Sequence, residues 1–383
     1  MDDLNKKELI FNFNLNILKN IINTLKSLNY KKIQYIPVTQ SYLALVKEHE
    51  NFINFFSKKK HLLFYYSLFP KLYRFSLSKK LQTCLDLCFL NKDGTKKEFL
   101  EIFTHDLFDR ALKNKIIFEK NDRYQFNISF LPYDSFIFLR EANNDYEDFY
   151  TNPETTGHPE FDNKVWVGAD AIIFNKYLKK ILKNRVFDRG LEIGSGTGIV
   201  SITASKFTKK FEAIDYNERA VKYTELNILL NDVQKLSSTY SNMYKNVKGK
   251  FDLILAVPWF IELEKSGLEE VPFIFEGLDN FLNTDGVCLM TLNSYVKNGT
   301  DANIGFLKKF IEKNFYSIEL YTMGYTIERK RYKELKKYNV DYIVSYFAVI
   351  KKSKVSSIKI HKVSFLRKIR DFTFIYVYKL LNR

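Results

Sequence analysis

Cysteine, proline and glycine are scarce in this chain of 383 residues, at three, seven and fourteen. Three cysteines suit a reducing cytosol. Two of them, Cys84 and Cys88, stand one helical turn apart in LQTCLDLCFL with no His nearby, a spacing of core packing rather than of a zinc site. No run reaches the roughly 18 apolar residues of a membrane span. The opening MDDLNKKELI has two acids where a signal peptide would carry a cationic n-region. These absences lead us to expect a cytoplasmic protein with no transmembrane segment. No Ser/His/Asp set and no metal-ligand cluster stands out, so no metal is expected. What is abundant is Phe (35) and Tyr (25), alongside many Lys, Asn and Ile, which reads as the codon bias of an AT-rich genome. With 46% hydrophobic and 27% charged residues the composition is globular, and the length favours two domains.

The formal charge of +16 invites an anionic partner, but it is unevenly spread. Residues 351–383 hold ten Lys or Arg against one Asp, while residues 141–163 hold seven acids and no Lys or Arg. We therefore expect an acidic joint at 141–163, rich also in Asn and containing Pro153, Gly157 and Pro159, with His158 a loop residue inside it. The tail, 353–383, mixes cations with Phe, Ile, Tyr and Leu. Such a segment can dock on its own domain, contact an anionic membrane or bind RNA.

Residues 1–140 read as mostly helical, with apolar positions such as Leu9, Phe13, Ile17 and Ile21 at helical spacing. Their end changes character: a helix at about 97–113, then short strands around a turn at Lys120-Asn121-Asp122. Helix, strand, turn and strand is the order of a winged helix. A small cap domain is the plainer reading than nucleic-acid binding, because the helix that would lie in a groove carries Glu101, Asp106 and Asp109.

From about 164 helices and strands alternate: helix 169–183, strand 189–193, helix 198–206, strand 211–215, helix 217–231, strand 251–256, helix 267–282, strand 286–292, helix 303–314, and strands 316–322 and 341–350. That alternation predicts a parallel, doubly wound sheet, whose ligands sit at the carboxyl ends of the strands. At the end of the first strand stands LEIGSGTGIVSI, with Gly194, Gly196 and Gly198 at alternate positions. This is neither the G-x-G-x-x-G of dinucleotide binders nor a P-loop, since Ile199-Val200 follow where Lys-Ser/Thr would. Glu192 before the turn would repel a phosphate but suits an ammonium or sulfonium. Asp215 ends the next strand, FEAID, where a carboxylate can accept from both hydroxyls of a ribose. The pocket so described takes a cationic nucleoside. S-adenosyl-L-methionine fits it, and NAD is the alternative.

LEIGSGTGIVSI followed by FEAIDYNERAVKYTELNILLND resembles the first two motifs of class I S-adenosylmethionine-dependent methyltransferases. The resemblance covers about residues 164–350. It implies an α/β fold, a Rossmann-like doubly wound seven-stranded sheet, here behind an N-terminal mostly helical, winged-helix-like domain at 1–140 and spanning 164–352. It implies Glu192, Gly194, Ser195, Gly196 and Gly198 on the methionyl side of the cofactor, Asp215 on the ribose, Tyr216 near the adenine and Asn242 where the family often bonds the adenine amine. A Rossmann-like fold that binds no cofactor is the plain alternative.

VWVGADAIIFNKYL and FDLILAVPWF are arranged as in the branch that holds release-factor glutamine and ribosomal-RNA guanine N-methyltransferases. That branch carries N-P-P-Y/F after the fourth strand, where the Asn accepts hydrogen bonds from the target nitrogen. Here Val257-Pro258-Trp259-Phe260 stand in that register, and Val cannot accept a hydrogen bond. Methyl transfer still asks for proximity, alignment and a dry site. Pro258 would stiffen the loop, Trp259 and Phe260 would wall an aromatic acceptor, and Glu262 is the candidate base, with Glu264 and His158 behind it. Asp170 begins a helix and is read as its N-cap. The expected function is methyl transfer from S-adenosyl-L-methionine to a protein, an RNA or an aromatic small molecule. A binding module that has lost catalysis, and a nucleic-acid-binding protein using cap and tail, are the alternatives.

Overall fold

The computed structural model describes residues 13–33, 76–141, 165, 167, 169–258, 270–326 and 336–362. The chain divides into two units, Met1–Val167 with Lys222–Val233, and Gly168–Val221 with Gln234–Arg383.

In the first unit, α1 (Leu15–Ser27) buries Ile17, Leu18, Ile21, Ile22 and Leu25, one stripe of a helix, and Asn14 caps it by accepting from the N–H groups of Asn16 and Ile17. α2 (Lys79–Cys84) runs into a π-helical turn, Leu85–Phe89, and Cys84 and Cys88 are both buried, as core packing requires. The single helix expected at 97–113 is two, α3 (Lys96–Leu100) and α4 (His105–Lys113). The break is chemical: Thr104 turns its hydroxyl onto the N–H of Leu107 and starts a new helix, as Thr95 does with Glu98 in a capping box. The hairpin β1 (Ile117–Lys120) and β2 (Arg123–Phe126) turns at Asn121-Asp122, both at positive φ, where the sequence predicts it. A second hairpin follows, β3 (Ile128–Tyr133) and β4 (Phe136–Glu141). Phe99, Phe108, Phe126 and Phe130 fill the space between these pieces.

The backbone of β4 finds unusual partners in this unit. Asn227 accepts from Leu139 N (2.7 Å) and donates to Leu139 O (3.0 Å), and Asn231 does the same with Ile137 (3.1 and 3.0 Å). Two carboxamides four residues apart, one in the last turn of a helix and one just past its end, thus stand in for a neighbouring strand.

The second unit is a nine-stranded sheet among the described residues, where seven strands were expected. Its strands are β5 (Phe187–Ile193), β6 (Thr208–Asp215), β7 (Leu236–Tyr240), β8 (Phe251–Ala256), β9 (Leu282–Lys297), β10 (Thr300–Asp301), β11 (Tyr316–Thr326), β12 (Tyr342–Lys352) and β13 (Ser357–His361). Their order is β13-β11-β12-β9-β8-β5-β6-β7, with β10 against β9. The expected parallel sheet is mixed: β12 runs antiparallel to both β9 and β11, and β10 antiparallel to β9. β13 lies inside the stretch read as tail, and pairs with β11 through Tyr321↔His361, so the sheet continues past residue 353.

α5 (Ala169–Leu182) covers one face, where Tyr177 stacks on Phe347 and Phe174 packs tilted against it. α6 (Ile199–Ala204) packs beside α5. α8 (Glu270–Phe281) and α9 (Ala302–Lys313) cover the other face, where Ile274, Phe275, Leu278 and Leu307 meet Ile254, Cys288, Met290 and Leu292. α7 (Glu218–Leu230) follows β6. The sheet is therefore wound on both faces. β5, β6 and β8 end side by side at Ile193, Asp215 and Ala256, whereas β9 passes that level at Met290 and runs on to Lys297 with β12 beside it.

Candidate cofactor site

The strand order reverses direction at β5, with β6 on one side and β8 on the other. In an open sheet such a switch leaves a crevice at the carboxyl ends. Gly194, Gly196 and Gly198 occupy it, all at positive φ (76°, 56° and 77°), a region that L side chains adopt with strain. A Cβ at Gly194 or Gly196 would meet no protein atom within 4 Å, so these two glycines do not make room for packing. They turn the chain and leave its face open, which is what a ligand lying on the main chain needs.

Asp215 fixes this loop. Its Oδ2 accepts from Gly196 N at 2.9 Å and its Oδ1 from Asn217 N at 2.9 Å, while its own carbonyl accepts from Ser241 N. The loop is also tied to β6 by Gly194 N and Ser195 N, which both donate to Ile214 O (2.9 and 3.0 Å). Burial raises the Asp215 carboxyl above its ordinary range, against the pull of those amide donors.

Glu192 lies deeper than expected. It is 1% exposed, and the Ser201 hydroxyl of α6 donates to its Oε2. Burial pushes its carboxyl up to about 8, partly offset by Ser201. Ser201 was not singled out from the sequence; its signal is its place in the first turn of the helix after the loop, facing back over the strand.

Ser195 is buried in the turn, Tyr216 is 58% exposed beside Asp215, and Asn242 is exposed after β7. Tyr240, 47% exposed and paired with Asp215 across the sheet, joins this group. It was missed because β7 itself was not read as a strand. Pro258 is half-buried just past β8, whereas Trp259, Phe260 and Glu262, like Glu264 and His158, lie outside the described residues. Asp170 is not an N-cap: α5 begins at Ala169, and Asp170 accepts from Ala171 N within the first turn. Among the described residues no group of His, Cys, Asp and Glu is placed to hold a metal ion.

The profile of the methyltransferase small domain matches residues 173–323, from α5 to β11. These residues are similar to the methyltransferase small domain. The cofactor that goes with it is S-adenosyl-L-methionine, and the open glycine loop with a carboxylate bonded to it suits that group. Related sequences include a Methanocaldococcus jannaschii protein named for N5-glutamine methylation, 36% identical over 33% of this chain and 56% of its own. A ribosomal protein L11 methyltransferase of Geotalea uraniireducens is 30% identical over 37% of this chain and 42% of its own. A ribosomal RNA small subunit methyltransferase C of Buchnera aphidicola is 25% identical over 45% of this chain and 48% of its own. The chain thus spans about half the length of these curated relatives.

Proposed function

We propose that this protein transfers the methyl group of S-adenosyl-L-methionine to a nitrogen of a macromolecule, RNA or protein. The observation that carries this reading is the bond from Gly196 N to Asp215 Oδ2, which joins the open glycine loop and the ribose-type carboxylate into one cradle. Each carboxylate oxygen keeps a second lone pair for a ribose hydroxyl. Gly194, Ser195, Gly196, Gly198 and Glu192 take the methionyl side, and Tyr216, Asn242 and Tyr240 the adenine side. When bound, the cofactor supplies an electrophilic methyl carbon: the acceptor nitrogen's lone pair forms the new bond, the carbon–sulfur pair returns to sulfur, and the nitrogen's proton passes to water.

The relatives' names support the acceptor class, since they speak of a protein glutamine, a ribosomal protein and a ribosomal RNA. Pro258, Trp259, Phe260 and Glu262 belong to the acceptor side in this proposal. Helix α4 followed by the β1–β2 hairpin supports a winged-helix-like cap at 1–140, with 141–163 as the joint and the basic tail as an anionic-surface contact. Among the described residues no helix is long and apolar enough to cross a membrane, and a cytoplasmic location is part of the proposal. Calorimetric titration with S-adenosylmethionine and S-adenosylhomocysteine tests the cradle. Micromolar binding of both is expected, followed by transfer of labelled methyl to RNA or protein. Absence of binding overturns the reading.

A further inference from the structure

Beyond the ends of β5 and β8, strands β9 and β12 continue as a raised wall. Ala256 pairs with Met290, so Val257, where the polar anchor is missing, stands level with Thr291. Side chains alternate along a strand, and Met290 and Leu292 point into the α8–α9 core. Thr291 and Asn293 therefore share the other face. Thr291 is 1% exposed, and its buried hydroxyl has no hydrogen-bond partner among the described residues.

Asn293 is half-buried and held from two sides. Its Oδ1 accepts from the Ser345 hydroxyl at 2.6 Å, and its backbone carbonyl accepts from Asn303 Nδ2 at 3.0 Å. No described residue accepts from its own Nδ2. A carboxamide fixed in this way retains a donor and an oxygen lone pair, and these match a planar group with adjacent N–H and C=O. Farther along the wall, Lys297, Lys336 and Lys337 are exposed, and Asp341 N on Val296 O (2.8 Å) brings the turn before β12 to the end of β9. The neighbouring acid, Asp301, is occupied by the Ser294 and Tyr346 hydroxyls and by Ile304 N.

We infer that Asn293, braced by Ser345, reads the lactam edge of an unpaired nucleobase, and that Lys297, Lys336 and Lys337 hold the flanking phosphates, so the acceptor is RNA. This rests on the methyltransferase reading and moves the acceptor-reading carboxamide from β8, which has Val257, to β9. A peptide side chain would use the carboxamide but would not call on the exposed Lys297, Lys336 and Lys337 beyond it, of which Lys337 lies over the Tyr338 ring at 5.1 Å.

The test uses total RNA from cells lacking the gene, with the protein fraction in parallel, and labelled S-adenosylmethionine. N293A is expected to lower kcat/KM for RNA about 5- to 150-fold, the worth of a two-bond base contact, while affinity for S-adenosylhomocysteine stays within about twofold. N293D, nearly the same shape but without the donor, carries the same expectation and guards against a folding defect. Replacing the three lysines with alanine is expected to raise KM for RNA with kcat unchanged, and to flatten its log–log salt slope by about 2. Full RNA turnover by N293A or N293D overturns the role of Asn293. Label in protein alone overturns the RNA acceptor. Failure of the wild type to bind S-adenosylhomocysteine is a different result, which sinks the methyltransferase reading itself.

Discussion

Gly196 and Asp215, nineteen positions apart, are joined by a 2.9 Å hydrogen bond from the glycine amide to the carboxylate. The bond makes Asp215 a part of the loop, and in the proposed function it is also the acceptor for a ribose. Asp215→Ala then removes two things, the acceptor for a ribose and the anchor of Gly196. Affinity for S-adenosylhomocysteine should fall about 100-fold, the sum of two charge-assisted bonds. Asp215→Asn, which keeps an oxygen for Gly196 N, should fall about tenfold. Equal losses in calorimetry would show that the loop anchor is immaterial.

Two glycines of the same strand and loop should fail in opposite ways. A Cβ at Gly190 would lie 2.4 Å from the ring of Phe211, so Gly190→Ala overpacks the core and should cost about 1–3 kcal/mol of stability. Gly196→Ala meets nothing within 4 Å but sits at φ 56°. It should cost only about 1 kcal/mol in stability and most of the cofactor affinity, because the methyl group fills the open face. Chemical denaturation and calorimetry on the two variants separate these effects.

The cradle was legible in the sequence because strand, turn and helix follow one another within LEIGSGTGIVSI and the acid ends the next strand. What was not legible shares a physical cause. β7, LSSTY, and β13, SIKIH, are largely exposed strands at the two margins of the sheet, so neither offers the apolar run of an interior strand. The reversal of β12 leaves no local mark, since its residues are as apolar as those of a parallel strand. Asn227 and Asn231 read as ordinary polar positions on a helix; their partners lie 88 and 94 residues away. The deep seat of Glu192 depends on Ser201 folding back over it.

The contact of Asn227 with Leu139 predicts an effect on stability. Asn227→Ala leaves a buried N–H and a buried C=O on β4 without those partners, at about 1–3 kcal/mol for each group. Asn227→Leu should do no better, because it fills the space without restoring either bond. Urea unfolding should show a midpoint drop in both variants. An unchanged midpoint would mean that the edge of β4 finds water instead.

Glu192 predicts a pH dependence of stability with a definite sign. Its folded carboxyl is pushed up to about 8 by burial, from an ordinary value of 4.5, and Asp215 shifts in the same direction. Between those values the folded protein holds a proton that the unfolded chain has released. The unfolded state therefore binds fewer protons, and stability must fall as pH rises from about 4.5 to 8, then level off. The contribution is on the order of a few kcal/mol, the Ser201 bond being already counted in that value. Glu192→Gln keeps an acceptor for Ser201 and cannot ionise. It should melt close to the wild type at pH 5 and about 5 °C or more above it at pH 8.5. Parallel melting curves for the two proteins across that range would place the burden of the shift on Asp215 alone.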